Sequence, residues 1–368
     1  MKQGIVLNEV YYDLKSIDRF IDSAQGKEEL SFFTEVVSFV KEWFSSKNDI
    51  VVYTSGSTGT PKPLRVSKEH MQNSAAMTCS FLQLQKQANA LLCMPVKYIA
   101  GKMMVVRALV AELSLWVVPP TGRPLSSLSE EIVLDFAAMV PLQVYNSLQE
   151  ERDTLRLKQI QHLLLGGGAI DEELAAILNG FPNSVYSSYG MTETVSHVAI
   201  RHLSGPLASS WYSPLPNVQL SKGEANNLLI HAPHLTSEDL STNDLVVFNS
   251  EGAFQLIGRL DNVINSGGIK IQAEEVELKL KGLMKRPYVI TSKKDSKLGE
   301  AITLLIEGSP FDTKNLTEAM KQVLTPYELP KHLFFVDQLP LTETKKIKRS
   351  RCKVIANRLA ESNCPQEG

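Results

Sequence analysis

Short apolar runs alternate with segments of helical spacing along residues 49–178, and this alternation restricts the fold more than any other feature. The apolar runs predict strands at residues 49–53, 90–94, 115–118, 142–145 and 161–165. The intervening segments predict helices at residues 68–87, 101–112, 129–139, 147–156 and 172–178. Strands separated by single helices usually pair in parallel through crossover connections. The alternation therefore predicts an α/β fold built on a parallel sheet.

The regions that flank this alternation have different patterns. Residues 1–48 carry apolar side chains near helical spacing and predict helices. From about residue 205, short strand patterns separated by Gly, Pro, Asn and Ser predict a β-rich subdomain. The last part of the chain mixes strand and helix patterns and predicts an α+β domain. We therefore expect a large N-terminal α/β domain over residues 1–258, which includes the β-rich subdomain, and a small C-terminal domain over residues 262–368.

Composition excludes several classes of protein. Apolar residues make up 43% of the 368 residues and the formal net charge is −2, so the chain is not disordered and has no overall field that attracts nucleic acid. No apolar stretch approaches the roughly 18 residues that span a bilayer, and the N-terminal segment lacks the pattern of a signal peptide. The cysteines at positions 79, 93, 352 and 364 have no paired spacing, which is typical of reduced thiols. These observations predict a soluble cytoplasmic protein without membrane insertion.

A loop rich in glycine and hydroxyl side chains follows the first strand pattern, where residues 53–62 read YTSGSTGTPK. The glycines allow the backbone to approach an anion closely, the hydroxyls donate hydrogen bonds, and the lysine supplies positive charge. A Walker loop would need GxxxxGK and an immediate helix, which Pro61 and Pro63 oppose. The pattern predicts a phosphate-binding loop of another kind, with a flexible linker as the alternative. Its candidate residues are Thr54, Ser55, Gly56, Ser57, Thr58, Gly59 and Lys62.

Five further motifs follow this loop in order. Residues 189–194 read YGMTET, 241–244 read STND, 258–261 read GRLD, 266–277 read SGGIKIQAEEVE and 339–347 read LPLTETKKI. Together with the loop they resemble the motifs of the adenylate-forming superfamily, which includes acyl-CoA synthetases, peptide-synthetase adenylation domains and luciferases. The resemblance covers about residues 50–350. It implies an enzyme that uses ATP and Mg²⁺ to convert a carboxylic acid into an acyl-adenylate and then passes the acyl group to coenzyme A.

The resemblance implies an ATP site residue by residue. Tyr189 would stack on adenine, Asp244 would accept hydrogen bonds from both ribose hydroxyls, and Arg259 would also contact the ribose. A glycine segment after the strand at 161–165 would form the adenine wall, with an ordinary strand-to-helix turn as the alternative. That segment consists of Gly166, Gly167 and Gly168.

The resemblance also implies the catalytic groups. Thr192 would bond the α-phosphate, and Glu193 would hold Mg²⁺, a hard cation that prefers carboxylate oxygen. Lys346 would stabilise the negative charge that develops as the acid attacks the α-phosphate. Lysine stands at position 345, where the superfamily usually has glycine, so Lys345 and Lys348 are the alternatives to Lys346.

A rotation of the small C-terminal domain between the two steps is a further implication. Asp261 would be the hinge, within residues 259–261. The rotation would withdraw Lys346 and present Gly267 and Gly268 to the pantetheine arm of coenzyme A, in a tunnel too narrow for a Cβ atom.

Residues 94–101, MPVKYIAG, bear on the acyl substrate. A chain with only about 50 residues before the phosphate loop resembles the compact o-succinylbenzoate–CoA ligases of menaquinone biosynthesis, which have a PLFHxSG-like sequence here. Tyr98 replaces their histidine, Lys97 replaces an aromatic residue, and Arg107 falls where some relatives have arginine. Lys97 and Arg107 are candidates to bind the second carboxylate of a dicarboxylic acid. The alternative is that both merely extend charged ends into water from a helix face.

Three functions from different classes remain open on the sequence alone. The first is a free-standing ligase that joins a small-molecule carboxylic acid to coenzyme A. The second is an adenylation enzyme for another aryl or short acyl acid or for a carrier protein, and the third is a non-catalytic nucleotide-binding protein. Six basic residues among the nine at 345–353 also match a nucleic-acid patch, but we interpret them as a solvated end beside Lys346. A homodimer is the common default for the assembly.

Overall fold

The computed structural model describes residues 3–53, 63–342 and 347–362. Within these ranges the strands are β1 (Gly4–Leu7), β2 (Val10–Asp13), β3 (Asp49–Tyr53), β4 (Pro63–Ser67), β5 (Asn89–Leu92), β6 (Ser114–Val117), β7 (Phe136–Met139), β8 (His162–Leu165), β9 (Ser184–Gly190), β10 (His197–His202), β11 (Ser213–Pro214), β12 (Gln219–Lys222), β13 (Asn227–His231), β14 (Leu240–Phe248), β15 (Phe254–Arg259), β16 (Val263–Ser266), β17 (Ile269–Gln272), β18 (Tyr288–Asp295), β19 (Gly299–Glu307) and β20 (His332–Val336). The α-helices are α1 (Arg19–Asp22), α2 (Lys27–Trp43), α3 (Lys68–Phe81), α4 (Ile99–Ala111), α5 (Pro141–Ser147), α6 (Glu151–Gln159), α7 (Glu172–Asn179), α8 (Ala273–Leu280), α9 (Lys314–Val323) and α10 (Arg349–Ser362).

The largest sheet of the described residues has nine strands in the order β11-β10-β9-β8-β7-β5-β6-β1-β2. The six strands from β9 to β1 pair in parallel. β10 and β11 extend one edge by antiparallel pairing, and β2 closes the other edge. The central strands are buried on both faces, as expected where crossover helices cover a parallel sheet; all four residues of β7 are buried. The predicted α/β class with a parallel sheet is confirmed.

Two antiparallel-rich regions follow the large sheet along the chain. β12 to β15 form a four-stranded antiparallel sheet, which is the predicted β-rich subdomain. β16 to β20 form a sheet of five strands, in which only β19 and β20 pair in parallel, and α8 packs against β18 in the same apolar core. This is the predicted α+β region. The exact boundaries at residues 258 and 262 stay a prediction.

The prediction of helices throughout residues 1–48 was wrong for residues 4–13. β1 and β2 form an antiparallel hairpin in which Leu7 pairs with Val10. Asn8 and Glu9 occupy the two-residue turn with φ of +47° and +69°, the conformation of the turns that best join twisted strands. Ile5 and Leu7 point into the core from alternate positions. The period-two burial of a four-residue strand is too short to distinguish from a helical pattern in sequence.

Two neighbouring elements were predicted with their types exchanged. Residues 129–139 were expected as a helix, but Phe136–Met139 is strand β7. Residues 142–145 were expected as a strand, but they lie in helix α5. Pro141 occupies the first turn of that helix, where its fixed φ is favourable and its missing N–H is not needed. The fully buried run of β7 has no period that separates strand from helix, and the four residues 142–145 are too few to show a helical period, which explains the exchange.

The strand before the predicted phosphate loop is not part of the large sheet. β3 and β4 pair only with each other, from Asp49↔Ser67 to Tyr53↔Pro63. Ile50 and Val52 are buried, whereas Val51 and Tyr53 are exposed, so the strand alternates instead of being buried on both faces. Residues 54–62 therefore connect two paired strands of a hairpin.

An ion pair between Arg349 and Glu277, joined by two hydrogen bonds, holds helix α10 to the C-terminal sheet. Arg349 Nη2 lies 2.6 Å from Glu277 Oε2, and Arg349 Nη1 donates to Glu277 Oε1 at 2.9 Å. Glu277 Oε1 also accepts from the N–H of Ile290 on β18. Such two-point contacts between guanidinium and carboxylate fix orientation as well as distance.

The longest helix of the described residues is α2, with 17 residues that include several acidic and basic side chains. Within the ranges that the structure covers, no helix is both long and apolar enough to cross a membrane.

Gly101 in the first turn of α4 generates a stability prediction. A Cβ atom added there would lie 2.6 Å from the carbonyl carbon of Pro95 and 2.7 Å from the carbonyl oxygen of Met94, and backbone atoms cannot move aside easily. We expect Gly101→Ala to lower the free energy of unfolding by about 1–3 kcal/mol, measured by urea denaturation. Gly282→Ala is the matched control, because no atom lies within 4 Å of the added Cβ, and its stability should be unchanged or slightly higher. Equal losses in both variants would contradict the packing argument.

Candidate active site

Three predicted site segments follow parallel strands of the large sheet. Residues 93–98 follow β5, residues 166–168 follow β8, and residues 191–196 follow β9. Because these strands run in the same direction, their carboxyl ends meet at one edge. β6 and β7 are consecutive strands along the chain, but they pair on opposite sides of β5, so the strand order reverses there. Open α/β sheets bind ligands outside the strand ends at such a reversal.

The glycine segment after β8 lies tightly against its neighbours. A Cβ atom at Gly166 would be 2.7 Å from Ser188 Oγ, and that hydroxyl donates to the carbonyl of Leu165 at 3.0 Å. Gly167 has a φ of +75°, in the left-handed region that favours glycine. Packing against Ser188 explains the glycine at position 166, and the left-handed backbone explains the glycine at position 167. Both glycines leave a flat backbone surface at the edge of the sheet.

Asp244 on β14 is the acceptor that links the large sheet to the β-rich subdomain. Its Oδ2 accepts a hydrogen bond of 2.6 Å from the hydroxyl of Tyr189 on β9. Its Oδ1 lies 2.8 Å from Nη1 of Arg259 on the paired strand β15. The side chain of Asp244 is 15% exposed, so the carboxylate is mostly desolvated yet still reachable from the cleft.

Arg259 continues the same chain of contacts to the predicted hinge. Its Nη2 lies 2.9 Å from Asp261 Oδ2, and Asp261 Oδ1 accepts from the side-chain amide of Asn243 at 2.8 Å. The carbonyl of Arg259 accepts from the amide of Gln272, at the start of α8. The predicted ATP residues Tyr189, Asp244 and Arg259 are thus brought together with the predicted hinge residue Asp261.

These contacts shift the pKa values of two groups. Burial, reinforced by the negative charge of Asp244, raises the pKa of Tyr189 well above its usual value, so the tyrosine remains a neutral donor. Burial tends to lower the pKa of Arg259, but its hydrogen bonds and ion pairs with Asp261 and Asp244 outweigh burial and raise it. The pair therefore stays a phenol and a guanidinium at every physiological pH.

Aromatic side chains fix the ring of Tyr189. Its centroid lies 5.2 Å from that of Phe254 and 6.2 Å from that of Tyr212, both in edge-to-face arrangements. Tyr212 is itself stacked on Phe254, and its hydroxyl lies 2.7 Å from Ser187 Oγ. The ring orientation is thus determined by packing from the β-rich side before any ligand is present.

The turn that carries Thr192 and Glu193 is closed by the buried side chain of Thr194. Thr194 Oγ1 accepts from the N–H of Met191 at 3.0 Å and donates to the carbonyl of Ser196 at 2.7 Å. Thr192 is half-buried and Glu193 is exposed. No described group of three or more His, Cys, Asp or Glu side chains forms a ready-made metal cage. A single exposed carboxylate nevertheless fits Mg²⁺, which keeps several waters and binds one or two carboxylates together with substrate phosphates.

Arg107, predicted as an acyl-site residue, lies in the interior between α4 and β10 and is 2% exposed. Its Nη2 donates to Ser196 Oγ at 2.7 Å, and Ser196 Oγ lies 3.2 Å from His197 Nδ1. His197 Nε2 lies 3.1 Å from Thr78 Oγ1 on α3. Burial lowers the pKa of Arg107 to about 10, so it remains charged, and burial together with Arg107 lowers the pKa of His197 well below its usual range.

The other two predicted acyl residues lie at the exposed start of α4. Lys97 is exposed, and its Nζ lies 4.8 Å from the ring centroid of Tyr98. Tyr98 is half-buried and precedes the first residue of the helix. Nine residues separate Tyr98 from Arg107, which corresponds to about 13 Å along the helix axis. The structure therefore separates Arg107 from Lys97 and Tyr98 in both depth and position.

Gly267 and Gly268 form the two-residue turn of the β16–β17 hairpin. Ser266 pairs with Ile269, and the glycines have φ of +61° and +83°. Two left-handed residues are what such a turn requires, so turn geometry alone accounts for both glycines. A Cβ atom at Gly268 would meet no described atom within 4 Å, so its surroundings are open in this arrangement.

Several predicted residues lie outside the described ranges. They are the phosphate-loop residues Thr54, Ser55, Gly56, Ser57, Thr58, Gly59 and Lys62 and the catalytic candidates Lys345 and Lys346. The chain is described on both sides of each segment. Tyr53 pairs with Pro63, and Leu341 pairs with Ile347. The third candidate, Lys348, donates its N–H to the carbonyl of Pro340 at 2.7 Å.

Sequence reasoning missed four groups that hold this site together. The side-chain amide of Asn243 donates to the carboxylate of Asp261, the predicted hinge residue. The only sequence signal for this contact was that asparagine stands where the corresponding motif of the superfamily has glycine. Ser196, His197 and Thr78 surround Arg107, and no local pattern could have connected α3, α4 and β10.

Comparison with known proteins gives a consistent result. The family described as AMP-binding enzyme matches residues 15–223. An acyl-CoA synthetase (AMP-forming)/AMP-acid ligase II-like protein from Dyadobacter fermentans is 35% identical in sequence; the match covers 93% of this chain and 97% of that one, with a TM-score of 0.61.

More distant relatives carry a specific name. The 2-succinylbenzoate–CoA ligase of Listeria innocua is 24% identical over 91% of this chain and 77% of its own length. The O-succinylbenzoate coenzyme A synthetase of Bacillus subtilis, in complex with ATP and magnesium ion, has a TM-score of 0.70 at 21% identity, over 83% of this chain and 70% of that one. At that identity the structural likeness establishes the fold.

The neutral His197 leads to a prediction about pH and stability. An unfolded histidine has a pKa of about 6.5, whereas the folded pKa is much lower, so the unfolded state binds more protons below pH 6.5. This contribution is present above about pH 6.5 and is lost progressively as the pH falls below it. We expect His197→Asn to reduce the slope of unfolding free energy against pH between 6.5 and 5 by up to about 1.4 kcal/mol per pH unit. The slopes of variant and wild type should agree above pH 7.5, and identical slopes below pH 6.5 would contradict the prediction.

Proposed function

This chain belongs to the AMP-binding enzyme family, and on that premise we propose that it is an AMP-forming acid–CoA ligase that works through an acyl-adenylate. The observation that carries the proposal is the Asp244 carboxylate, which Tyr189 and Arg259 hold at the carboxyl edge of the parallel sheet. Each carboxylate oxygen has two lone pairs, and each uses one of them on these donors. Among the described residues, one acceptor position therefore remains on each oxygen, which suits the two hydroxyls of a ribose.

The remaining nucleotide contacts follow from the same edge. We propose that adenine lies against the backbone of residues 166–168 and against Tyr189, with Arg259 near the ribose. This segment directly follows β8, whose neighbour β9 carries Tyr189, so both lie at the same edge of the sheet, which supports this position. The phosphate-loop residues 54–62 connect β3 and β4 and would grip the β- and γ-phosphates with backbone and hydroxyl groups.

In the first step, a carboxylate oxygen of the acid attacks the α-phosphorus of ATP. The bond from that phosphorus to its bridging oxygen breaks, and pyrophosphate leaves with the electron pair. Thr192 donates a hydrogen bond to the α-phosphate, and Lys346 stabilises the charge that develops during attack. Glu193 would hold Mg²⁺, which would supply positive charge to the phosphate oxygens.

In the second step, the thiolate of coenzyme A attacks the acyl carbon, and AMP leaves as the thioester forms. We propose that residues 262–368 rotate as a domain about Asp261, within residues 259–261, between the two steps. The rotation withdraws Lys346 and brings Gly267 and Gly268 to the pantetheine arm. The open space at Gly268 in the present arrangement is compatible with a surface that meets its partner only after rotation.

We propose that the acid is o-succinylbenzoate, which carries a second carboxylate. The names of the relatives support this choice. The exposed cation of Lys97, beside Tyr98 at the end of β5, is the better candidate for direct contact with that second carboxylate. A cytoplasmic location and a homodimer stay predictions from the sequence.

The first test measures formation of AMP from ATP with coenzyme A present and one acid at a time. The acids are o-succinylbenzoate, succinate, benzoate and a medium-chain fatty acid. We expect turnover with o-succinylbenzoate alone. Turnover only with another acid or with a carrier protein would keep the adenylation chemistry and reject the substrate. If no carboxylate produced AMP or exchanged pyrophosphate, the ligase proposal would be wrong.

The second test separates the two half-reactions. Lys346→Ala should lower the rate of adenylate formation at least about a hundredfold, because it removes charge stabilisation in the transition state. Thiolysis of a supplied acyl-adenylate should keep its wild-type rate. Gly268→Leu should do the reverse by blocking the pantetheine arm. Lys345→Ala and Lys348→Ala are the matched controls, and a loss in either of them instead of Lys346→Ala would reassign the catalytic lysine.

A further inference from the structure

Arg107 is a buried cation that the proposed chemistry does not yet use. Within the described ranges, its Nη2 meets a serine hydroxyl, its Nη1 meets the Met104 sulfur at 3.5 Å, and its Nε meets no acceptor. Removing a guanidinium from water without a carboxylate partner is costly. A side chain kept in such a place is expected to have a role that balances the cost.

The hydrogen bonds around Arg107 can be oriented from donor to acceptor. Thr78 Oγ1 donates to the carbonyl of Ser74 one turn earlier, at 3.0 Å, so it accepts from His197 Nε2. We assign the neutral imidazole proton to Nε2 on this basis, which leaves Nδ1 as an acceptor. Ser196 Oγ therefore donates to His197 Nδ1 and accepts from Arg107 Nη2. The serine oxygen is fixed from two sides by buried groups on two other elements.

Ser196 is the last residue of the turn that presents Thr192 and Glu193. It follows Val195, a β-branched residue with a φ of +65° that is 1% exposed. Such a conformation costs of order 1–3 kcal/mol and persists only where the surroundings hold it. Thr194 closes the turn from within, whereas Arg107 holds its end from outside through the Ser196 hydroxyl.

We propose that Arg107 and Ser196 are positioning residues for adenylation: the buried guanidinium holds the strained turn, and the turn holds Thr192 and Glu193 where MgATP binds. The inference rests on the proposed function and adds to it a role for Arg107 other than contact with the acyl group. Arg107 is 2% exposed and donates to Ser196 Oγ, so direct contact with an acyl group would require its buried surroundings to rearrange. Lys97, by contrast, is exposed at the start of α4.

The test compares Arg107→Met, Arg107→Lys, Ser196→Ala and the double variant Arg107→Met/Ser196→Ala. Affinity for MgATP is measured by calorimetry without any acid, and KM and kcat are measured for ATP and for the acid. Arg156→Met is the matched control. Arg156 on α6 is a similarly buried arginine, 8% exposed, whose Nη2 has no partner among the described residues. It donates to the carbonyl of Leu128 instead of to a residue of the turn.

We expect Arg107→Met and Ser196→Ala each to weaken MgATP binding and to lower kcat of adenylation by about tenfold to a hundredfold. The double variant should lose no more than the stronger single variant, because both remove one interaction. Arg107→Lys should recover part of the loss. Arg156→Met should lose stability but bind MgATP normally at a temperature where every variant is folded.

Three outcomes would overturn the inference. Arg107→Met could raise only the KM for the acid, which would mean direct acyl contact. Ser196→Ala could behave as wild type, or the losses could add in the double variant. Because MgATP binding is measured without an acid, these results are distinguishable from a failure of the ligase proposal, in which the wild type would bind MgATP and activate no carboxylate.

Discussion

The carboxylate of Asp244 joins the large parallel sheet to the β-rich sheet through charged hydrogen bonds, beside the paired backbone groups of Tyr212 and Phe254. It accepts from a tyrosine on the large parallel sheet and from an arginine on its own antiparallel sheet, and that arginine reaches the carboxylate of Asp261. Hydrogen bonds to charged acceptors in a partly buried site are stronger and shorter than neutral ones. Asp244 therefore helps to fix both the position of the β-rich sheet at the edge of the parallel sheet and, through Arg259 and Asp261, the turn into residues 262–368.

The site next to Asp244 is made of features that cost stability. Val195 has a left-handed backbone, Arg107 is buried without a carboxylate partner in the described ranges, and the glycines after β8 give up side-chain packing. Strain of this kind is concentrated at ligand-binding sites, where the backbone must match the ligand and not its own relaxed conformation. The adjoining core compensates, because all four residues of β7 and three of the four residues of β8 are buried.

The sequence predicted those parts of the molecule whose signal is local or carried by a motif. The α/β class followed from alternation, and the meeting of Tyr189, Asp244, Arg259 and Asp261 followed from motif order. The hairpin at residues 4–13 was missed because four-residue strands have too few periods. β7 was mistaken for a helix because a fully buried run has no period, and α5 was mistaken for a strand because four residues are too few to show a helical one. The contacts of Arg107 could not be predicted either. Thr78, Arg107 and Ser196 come from three elements up to 118 residues apart, and only the fold brings them together.

Glycines that belong to one motif set can be required for different reasons, and this limits what a motif implies. Gly166 is small because Ser188 of the neighbouring strand lies against it, and Gly267 and Gly268 have left-handed angles because they turn a hairpin. These local reasons would hold without any ligand. For Asp244 the local contacts account for one acceptor position on each oxygen, and within the described residues no donor uses the second. The argument for a bound diol therefore rests more securely on Asp244 than on any glycine of the motifs.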